Sequence, residues 1–102
     1  MTVYEVTVAV EPDRAEAFSR YMLEKHIPEI LATGCFRTIR FERSEVGRFR
    51  TRYEAEGPDD LERYLLEHTA RFRADFAAHF PSGCTATRDT WEAVRAFGKD
   101  AG

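Results

Sequence analysis

The stretch CFRTIRFERSEVGRFRTRYEAE, residues 35–56, decides the fold of this chain. Apolar and polar side chains alternate in residues 35–44 and again in residues 48–56. Such alternation is typical of strands that bury one face. The segment Glu45-Val46-Gly47 lies between the two runs and predicts the turn of a β-hairpin. The sequence on either side of this hairpin then determines the larger fold.

The chain before the hairpin predicts one strand and one helix. Residues 2–10, TVYEVTVAV, alternate in the manner of a half-buried strand. Asp13 and Glu16 have the spacing of a capping box and predict the start of the helix. Pro28 is expected to end or kink this helix near His26, because proline has no N–H to donate and disfavours helical geometry at the preceding residue.

The chain after the hairpin predicts a second helix and a last strand. The helix opens at Pro58, and its apolar stripe continues in one run to Phe80. The strand begins at Cys84 and runs to about Val94. A short helix over residues 90–97 is the alternative, and the strand is the preferred interpretation.

The order of these elements is strand, helix, strand, strand, helix, strand. Right-handed crossovers then favour an α+β, ferredoxin-like βαββαβ fold, with a four-stranded antiparallel sheet in the order 4-1-3-2 and both helices on one face. Residues 1–97 are predicted to form this single domain, and residues 98–102 a flexible C-terminal tail. A chain of this size buries only about two-thirds of the surface that its unfolded form exposes, so a partner subunit would add burial.

Composition and motifs exclude several classes of function. With 15 basic and 18 acidic side chains, the chain creates no overall field that would attract nucleic acid or anionic lipid. It has no run approaching the roughly 18 apolar residues of a membrane helix, and its start lacks the pattern of a signal peptide. We therefore expect a cytoplasmic protein with no nucleic-acid or membrane partner. Neither metal-ligand spacing nor a phosphate-binding glycine loop is present, so no metal and no cofactor are predicted.

Two helices cover only one face of such a sheet, and strand alternation predicts a polar, arginine-rich surface on the other face. The residues expected there are Val3, Glu5, Thr7, Ala9, Phe36, Thr38, Arg40, Glu42, Arg48, Arg50, Arg52, Glu54, Arg88 and Thr90. One interpretation is a solvated surface with cross-strand Arg–Glu pairs. The other is a homodimer whose sheets close face to face around a polar cavity, where Arg40, Arg52 and Arg88 bind a carboxylate or phosphate.

His26 is the candidate for catalytic chemistry, and the sequence names no other catalytic residue. It lies near Pro28 with Glu24 and Glu29 close by, so a carboxylate could orient it as a general base. The alternative is a histidine that packs at a helix end and hydrogen-bonds its neighbours.

Four segments carry a resemblance to a known family: Tyr4-Glu5-Val6-Thr7, His26-Ile27-Pro28-Glu29, Ala32-Thr33-Gly34-Cys35-Phe36 and Tyr64-Leu65-Leu66-Glu67-His68. In these segments the chain resembles small bacterial proteins known only as a domain of unknown function. The resemblance implies a ferredoxin-like protein of the dimeric α/β-barrel type and supplies no established activity. More distantly, the architecture is similar to antibiotic biosynthesis monooxygenases, muconolactone isomerases and stress-responsive barrel proteins. Those proteins commonly hold small organic molecules between helices and sheet.

These observations predict a small cytoplasmic homodimer that binds a small, anionic organic molecule. Whether it also transforms that molecule, and is therefore an enzyme, is left open. The alternative is a non-catalytic regulatory or assembly module, whose interior would be filled by side chains instead of holding a pocket.

Overall fold

The computed structural model describes residues 1–99 and places four antiparallel strands in one sheet. The strands are β1 (Thr2–Val10), β2 (Thr38–Arg43), β3 (Arg48–Ala55) and β4 (Cys84–Glu92). Their order across the sheet is β2-β3-β1-β4, which is the predicted order 4-1-3-2 read from the other edge. The ferredoxin-like fold is therefore confirmed. Of the predicted flexible tail, residues 100–102 lie outside the described residues.

The first helical region continues past Pro28, which was expected to end or kink it. It consists of a 3-10 turn (Pro12–Arg14), α1 (Ala15–Tyr21), a π-helical segment (Met22–His26) and α2 (Ile27–Leu31). Pro28 lies in the first turn of α2, and Ile27 before it has helical φ and ψ of −64° and −48°. Of the predicted end or kink near His26, the end is wrong: the helix continues, and just before Pro28 it widens into a π-helical turn that accommodates the missing proline N–H.

The start of this helical region also differs from the prediction. Glu11 precedes the 3-10 turn without a side-chain capping hydrogen bond, and Asp13 lies inside the turn. Pro12 occupies the first position, where its restricted φ suits a helix and its missing N–H needs no partner. The predicted capping box of Asp13 and Glu16 is therefore wrong.

The second helical region is broken where one continuous helix was predicted. It consists of α3 (Pro58–Glu67) and α4 (Thr69–His79), and His68 between them has φ −124° and ψ −31°. The apolar stripe nevertheless continues across the break, since Leu61 and Tyr64 of α3 and Phe72 of α4 are buried in one core cluster.

The last element is a strand, as preferred from the sequence. β4 pairs with β1 from Cys84 to Glu92. Residues 93–97 have no regular structure, so the alternative helix over residues 90–97 does not form.

The core lies between the helices and one face of the sheet. The hairpin contributes five side chains to it, from the positions that alternate with the arginine-rich surface: Ile39, Phe41, Phe49, Tyr53 and Ala55. Phe36 was expected on the uncovered face but is also buried here, with its ring centroid 5.2 Å from that of Tyr53 and 4.8 Å from that of Tyr64. That expectation is wrong because β2 begins only at Thr38, so strand alternation does not extend to Phe36.

The register of β4 on β1 corrects two further expectations. Val6 pairs with Arg88 and Tyr4 pairs with Thr90, and directly paired residues in an antiparallel sheet share a face. Because Tyr4 and Val6 belong to the core, Arg88 and Thr90 lie on the helix-covered side. Their predicted position on the uncovered face is wrong, since alternation within a strand does not reveal which neighbour each residue meets.

Candidate functional site

The candidate site is a cleft between the helices and the covered face of the sheet. The cleft has a volume of about 50 Å³, or about 530 Å³ when the space at its open mouth is included. The cleft is therefore narrow and suits a slim or planar molecule. Its walls are formed by Tyr4, Val6, Val8, Phe18, Met22, His26, Thr51, Tyr53, Tyr64, Thr69, Phe72, Arg73, Phe76, Ala86 and Arg88.

Two arginines line this cleft, and within residues 1–99 no carboxylate does. Arg73 of α4 and Arg88 of β4 are both exposed, so they lie where the cleft opens to solvent. Arg73 Nη2 donates a hydrogen bond to Tyr4 Oη over 3.2 Å. Since the Tyr4 hydroxyl accepts this bond, its own proton remains available for a ligand. This arrangement of positive charge and hydroxyl favours an anion at the mouth of the cleft.

His26 lines the cleft from the π-helical segment, and Tyr21 and Asp75 hold its imidazole. Tyr21 Oη donates to Asp75 Oδ2 over 2.8 Å and lies 3.2 Å from His26 Nδ1. A phenol has one proton, and Tyr21 gives it to Asp75, so Tyr21 accepts from Nδ1–H of His26. The neutral imidazole therefore carries its proton on Nδ1 and leaves Nε2 unprotonated. We call these three residues the Asp75–Tyr21–His26 network.

Asp75 and Tyr21 keep the protonation that this network requires. The hydrogen bonds from Tyr21 and then from Lys25, whose Nζ lies 3.0 Å from Oδ2, lower the pKa of the Asp75 carboxyl. Burial, followed by the hydrogen bond to Asp75, raises the pKa of Tyr21. Asp75 therefore remains an acceptor and Tyr21 remains a protonated phenol near neutral pH.

Burial lowers the pKa of His26 to about 4, although the nearby carboxylates of Asp75 and Glu29 act in the opposite direction. The imidazole packs against two aromatic rings, with centroids 5.9 Å from Phe72 and 6.3 Å from Phe76. His26 is consequently neutral at pH 7, with one donor and one acceptor nitrogen.

The groups that orient His26 differ from those suggested by the sequence. Glu29 pairs with Lys25 at 3.2 Å, and the carboxylate that acts on His26 through Tyr21 is Asp75 of α4. The Tyr21 to Asp75 hydrogen bond spans 54 residues of sequence, which is why local spacing did not reveal it.

The three arginines predicted to bind a ligand are divided between the two faces of the sheet. Arg88 lines the cleft together with His26. Arg40 and Arg52 lie on the uncovered face, where Arg40 pairs with Glu54 at 3.1 Å and Arg52 lies 3.8 Å from Glu5. The expectation that all three share one surface is therefore wrong.

The sequence also left several residues of the site unrecognised: Tyr4, Tyr21, Arg73 and Asp75. Arg73 and Asp75 lie on the second helical region, whose charged residues look like an ordinary solvated face in sequence. The one local signal is the spacing of Tyr21 and His26, whose side chains come together across the π-helical segment.

Within residues 1–99 no group of three or more His, Cys, Asp or Glu side chains is arranged to hold a metal ion. In that range no helix is both long enough and apolar enough to cross a membrane.

Residues 1–94 match the model of a domain of unknown function, DUF4286. The chain belongs to this family. The resemblance seen in the sequence to a domain of unknown function is thereby confirmed. A comparison with curated proteins found no match.

Several solved structures share the architecture of this DUF4286 protein. A proposed antibiotic biosynthesis monooxygenase from Deinococcus radiodurans is 13% identical with a TM-score of 0.70, covering 97% of this chain and 98% of that one. The Rv0793 protein of Mycobacterium tuberculosis is 14% identical with a TM-score of 0.64, covering 96% and 100%. A further antibiotic biosynthesis monooxygenase is 15% identical with a TM-score of 0.54, covering 92% and 99%. At these identities the likeness shows the fold alone.

Proposed function

We propose that this DUF4286 protein binds a small, anionic organic molecule in the cleft between its helices and its sheet. One observation carries the proposal: two arginines and no carboxylate line an otherwise largely apolar cleft within residues 1–99. The apolar walls suit the body of an organic molecule, and Arg73 and Arg88 suit its acid group. Two of the similar structures bear the name antibiotic biosynthesis monooxygenase, which supports a small organic ligand.

Benzoate is a suitable probe because it joins a slim apolar ring to a carboxylate. We expect benzoate to bind more tightly than the neutral benzyl alcohol, and Arg88→Gln to weaken benzoate binding by about tenfold, because a charge-assisted hydrogen bond is lost. Arg40→Gln is the matched control, since it removes an arginine from the opposite face of the sheet. Titration followed by ligand-detected NMR or calorimetry measures both affinities. Equal affinity for the two probes, or equal effects of the two variants, would contradict the proposal.

We further propose that the uncovered sheet face joins two copies of this chain. The charges on this face are divided: β2 and β3 carry Arg40, Arg48, Arg50 and Arg52 against Glu42 and Glu54, whereas β1 and β4 carry Glu5 and Asp89. A second copy related by a twofold axis can set the positive half of each sheet against the negative half of the other. Trp91 adds an exposed ring to the same face, because it pairs with Val3.

Sedimentation at micromolar concentration tests this assembly. We expect a dimer of the 11.8 kDa chain that buries more than about 1,000 Å² in total. Trp91→Glu is expected to shift the protein towards monomer, because it puts a charge into the paired faces. Leu66→Glu is the control, since Leu66 is an exposed apolar residue of α3 on the helical side. A monomeric wild-type protein would refute the dimer.

The same experiments separate the proposal from its alternative. A protein that dimerises through the sheet but binds neither benzoate nor benzyl alcohol would be an assembly module. The small volume of the cleft, about 50 Å³ without its open mouth, is the observation that favours this outcome. As the location we propose the cytoplasm, which suits the free thiols of Cys35 and Cys84.

A further inference from the structure

The acid group of the proposed ligand would bind the arginines of the cleft, but this gives no role to His26. Nδ1 of its imidazole lies 3.2 Å from Tyr21 Oη, and Tyr21 does not line the cleft. Nε2 lies on the opposite edge of the ring, and the one hydrogen-bond contact of the His26 side chain within residues 1–99 is that of Nδ1 with Tyr21. Because His26 lines the cleft and Tyr21 does not, Nε2 is the ring nitrogen on the side of the cleft, where it offers a neutral acceptor.

The geometry of the Asp75–Tyr21–His26 network determines which nitrogen is the acceptor. The Tyr21 to Asp75 distance of 2.8 Å is shorter than the 3.2 Å to His26, as expected where the phenol donates to a carboxylate. Donation from Tyr21 to His26 instead would leave Tyr21 Oη and Asp75 Oδ2 facing each other as two acceptors. Nε2 is therefore unprotonated in the neutral protein.

We propose that His26 Nε2 accepts a hydrogen bond from a hydroxyl group of the ligand, so that the cleft selects hydroxy acids with a slim, apolar body. The inference rests on the proposed function for its acid-binding end. The carboxylate of the ligand binds at Arg73 and Arg88, the ring lies between the apolar walls, and the hydroxyl points to His26. His26 acts here as a specificity-determining residue, and no bond of the ligand is broken.

Burial supports this role for His26. Its low pKa, about 4, keeps Nε2 an acceptor throughout the neutral range. A protonated imidazole would donate at both nitrogens and would attract a second anionic group instead of a hydroxyl. The charged groups that act on the ring are Lys25, Glu29 and Asp75, and Arg73 and Arg88 line the same cleft.

The protonation state of His26 can be observed without a ligand. Long-range ¹H–¹⁵N spectra of the full-length protein at pH 7 should show a protonated, pyrrole-like Nδ1 and an unprotonated, pyridine-like Nε2 for His26. A protonated Nε2 would overturn the inference while leaving the arginine site intact. This measurement needs no variant and so does not depend on whether a substituted protein folds.

The ligand preference is tested with benzoate, 3-hydroxybenzoate and 4-hydroxybenzoate. We expect at least one hydroxybenzoate to bind the wild-type protein about tenfold more tightly than benzoate, because it adds one well-formed hydrogen bond. His26→Phe should abolish this preference and retain benzoate binding. Tyr21→Phe should reduce the preference, because Nδ1–H loses the acceptor that holds the tautomer. His79→Gln is the control, since Nδ1 of His79 hydrogen-bonds the backbone carbonyl oxygen of Asp75 and His79 does not line the cleft.

The outcomes separate this inference from the function on which it rests. Benzoate binding that depends on Arg88 but is not improved by either hydroxyl would overturn the role of His26 and leave the anion site standing. A hydroxyl preference that survives in His26→Phe would also overturn it. Failure of benzoate and both hydroxybenzoates to bind would refute the proposed function itself.

Discussion

Phe18→Ala is expected to lower the free energy of unfolding by about 3–5 kcal/mol, the range for removing a buried phenylalanine. Phe18 lies on α1 with no exposed surface. Its ring centroid lies 5.0 Å from Phe49 of β3, 5.8 Å from Phe80 and 6.0 Å from Phe76. Because these rings come from both helical regions and the sheet, the substitution leaves a cavity where the two layers meet. Urea unfolding followed by circular dichroism measures the loss.

Leu23→Ala provides the matched control for this loss. Leu23 belongs to the same helical region but is 59% exposed. Its truncation should change the free energy of unfolding by no more than about 0.5 kcal/mol, as is usual for surface sites. Similar losses for the two variants would show that α1 does not pack on the sheet through Phe18.

Wild-type stability is expected to fall as the pH drops from about 6.5 towards 4, and His26→Phe should lack much of this fall. The pKa of His26 is lowered from 6.5 to about 4 by burial, so the unfolded chain binds a proton that the folded protein excludes. The contribution of neutral His26 to the free energy of unfolding is complete above the pKa of the unfolded chain, 6.5, and is lost as the pH falls from there towards the folded pKa of about 4. A pKa difference of this size lowers the free energy of unfolding by about 3 kcal/mol at most.

Urea unfolding at intervals between pH 7.5 and pH 4 measures this effect. The informative quantity is the difference between wild type and His26→Phe, because other groups that titrate in this range affect both proteins alike. His79→Gln controls for the removal of an exposed imidazole. Parallel pH profiles for wild type and His26→Phe would show that His26 is not buried as a neutral ring.

The pattern of apolar and polar residues was sufficient to predict the strands of the sheet and their order. Alternation in residues 2–10, 35–44 and 48–56 predicted β1, β2 and β3, and the right-handed crossover rule then predicted the strand order that the structure has. These predictions succeed because the two-residue period of a strand is a local property and few connections between such elements are allowed.

The sequence pattern predicted the ends of the helices less well. Pro28 was expected to end or kink its helix, which instead continues to Leu31 through a π-helical segment. His68 interrupts a region that was predicted as one helix. Both errors have one cause, since tertiary packing determines whether a helix is better continued, widened or broken at a given residue. The burial of Met22, the first residue of the π-helical segment, and of Ile30 in α2 illustrates this packing.

The sequence by itself determined the order of the elements and the strand order of the sheet. It also indicated His26 and Arg88 as candidate site residues, each on separate grounds. Only the tertiary structure decided that these two line one cleft, and that Asp75 holds His26 through Tyr21. The physical reason is that alternation sorts the residues of a strand into two sets on opposite faces. It does not determine which set of β4 residues faces the helices. That choice is made by the pairing of Arg88 with Val6, a contact between the two ends of the chain.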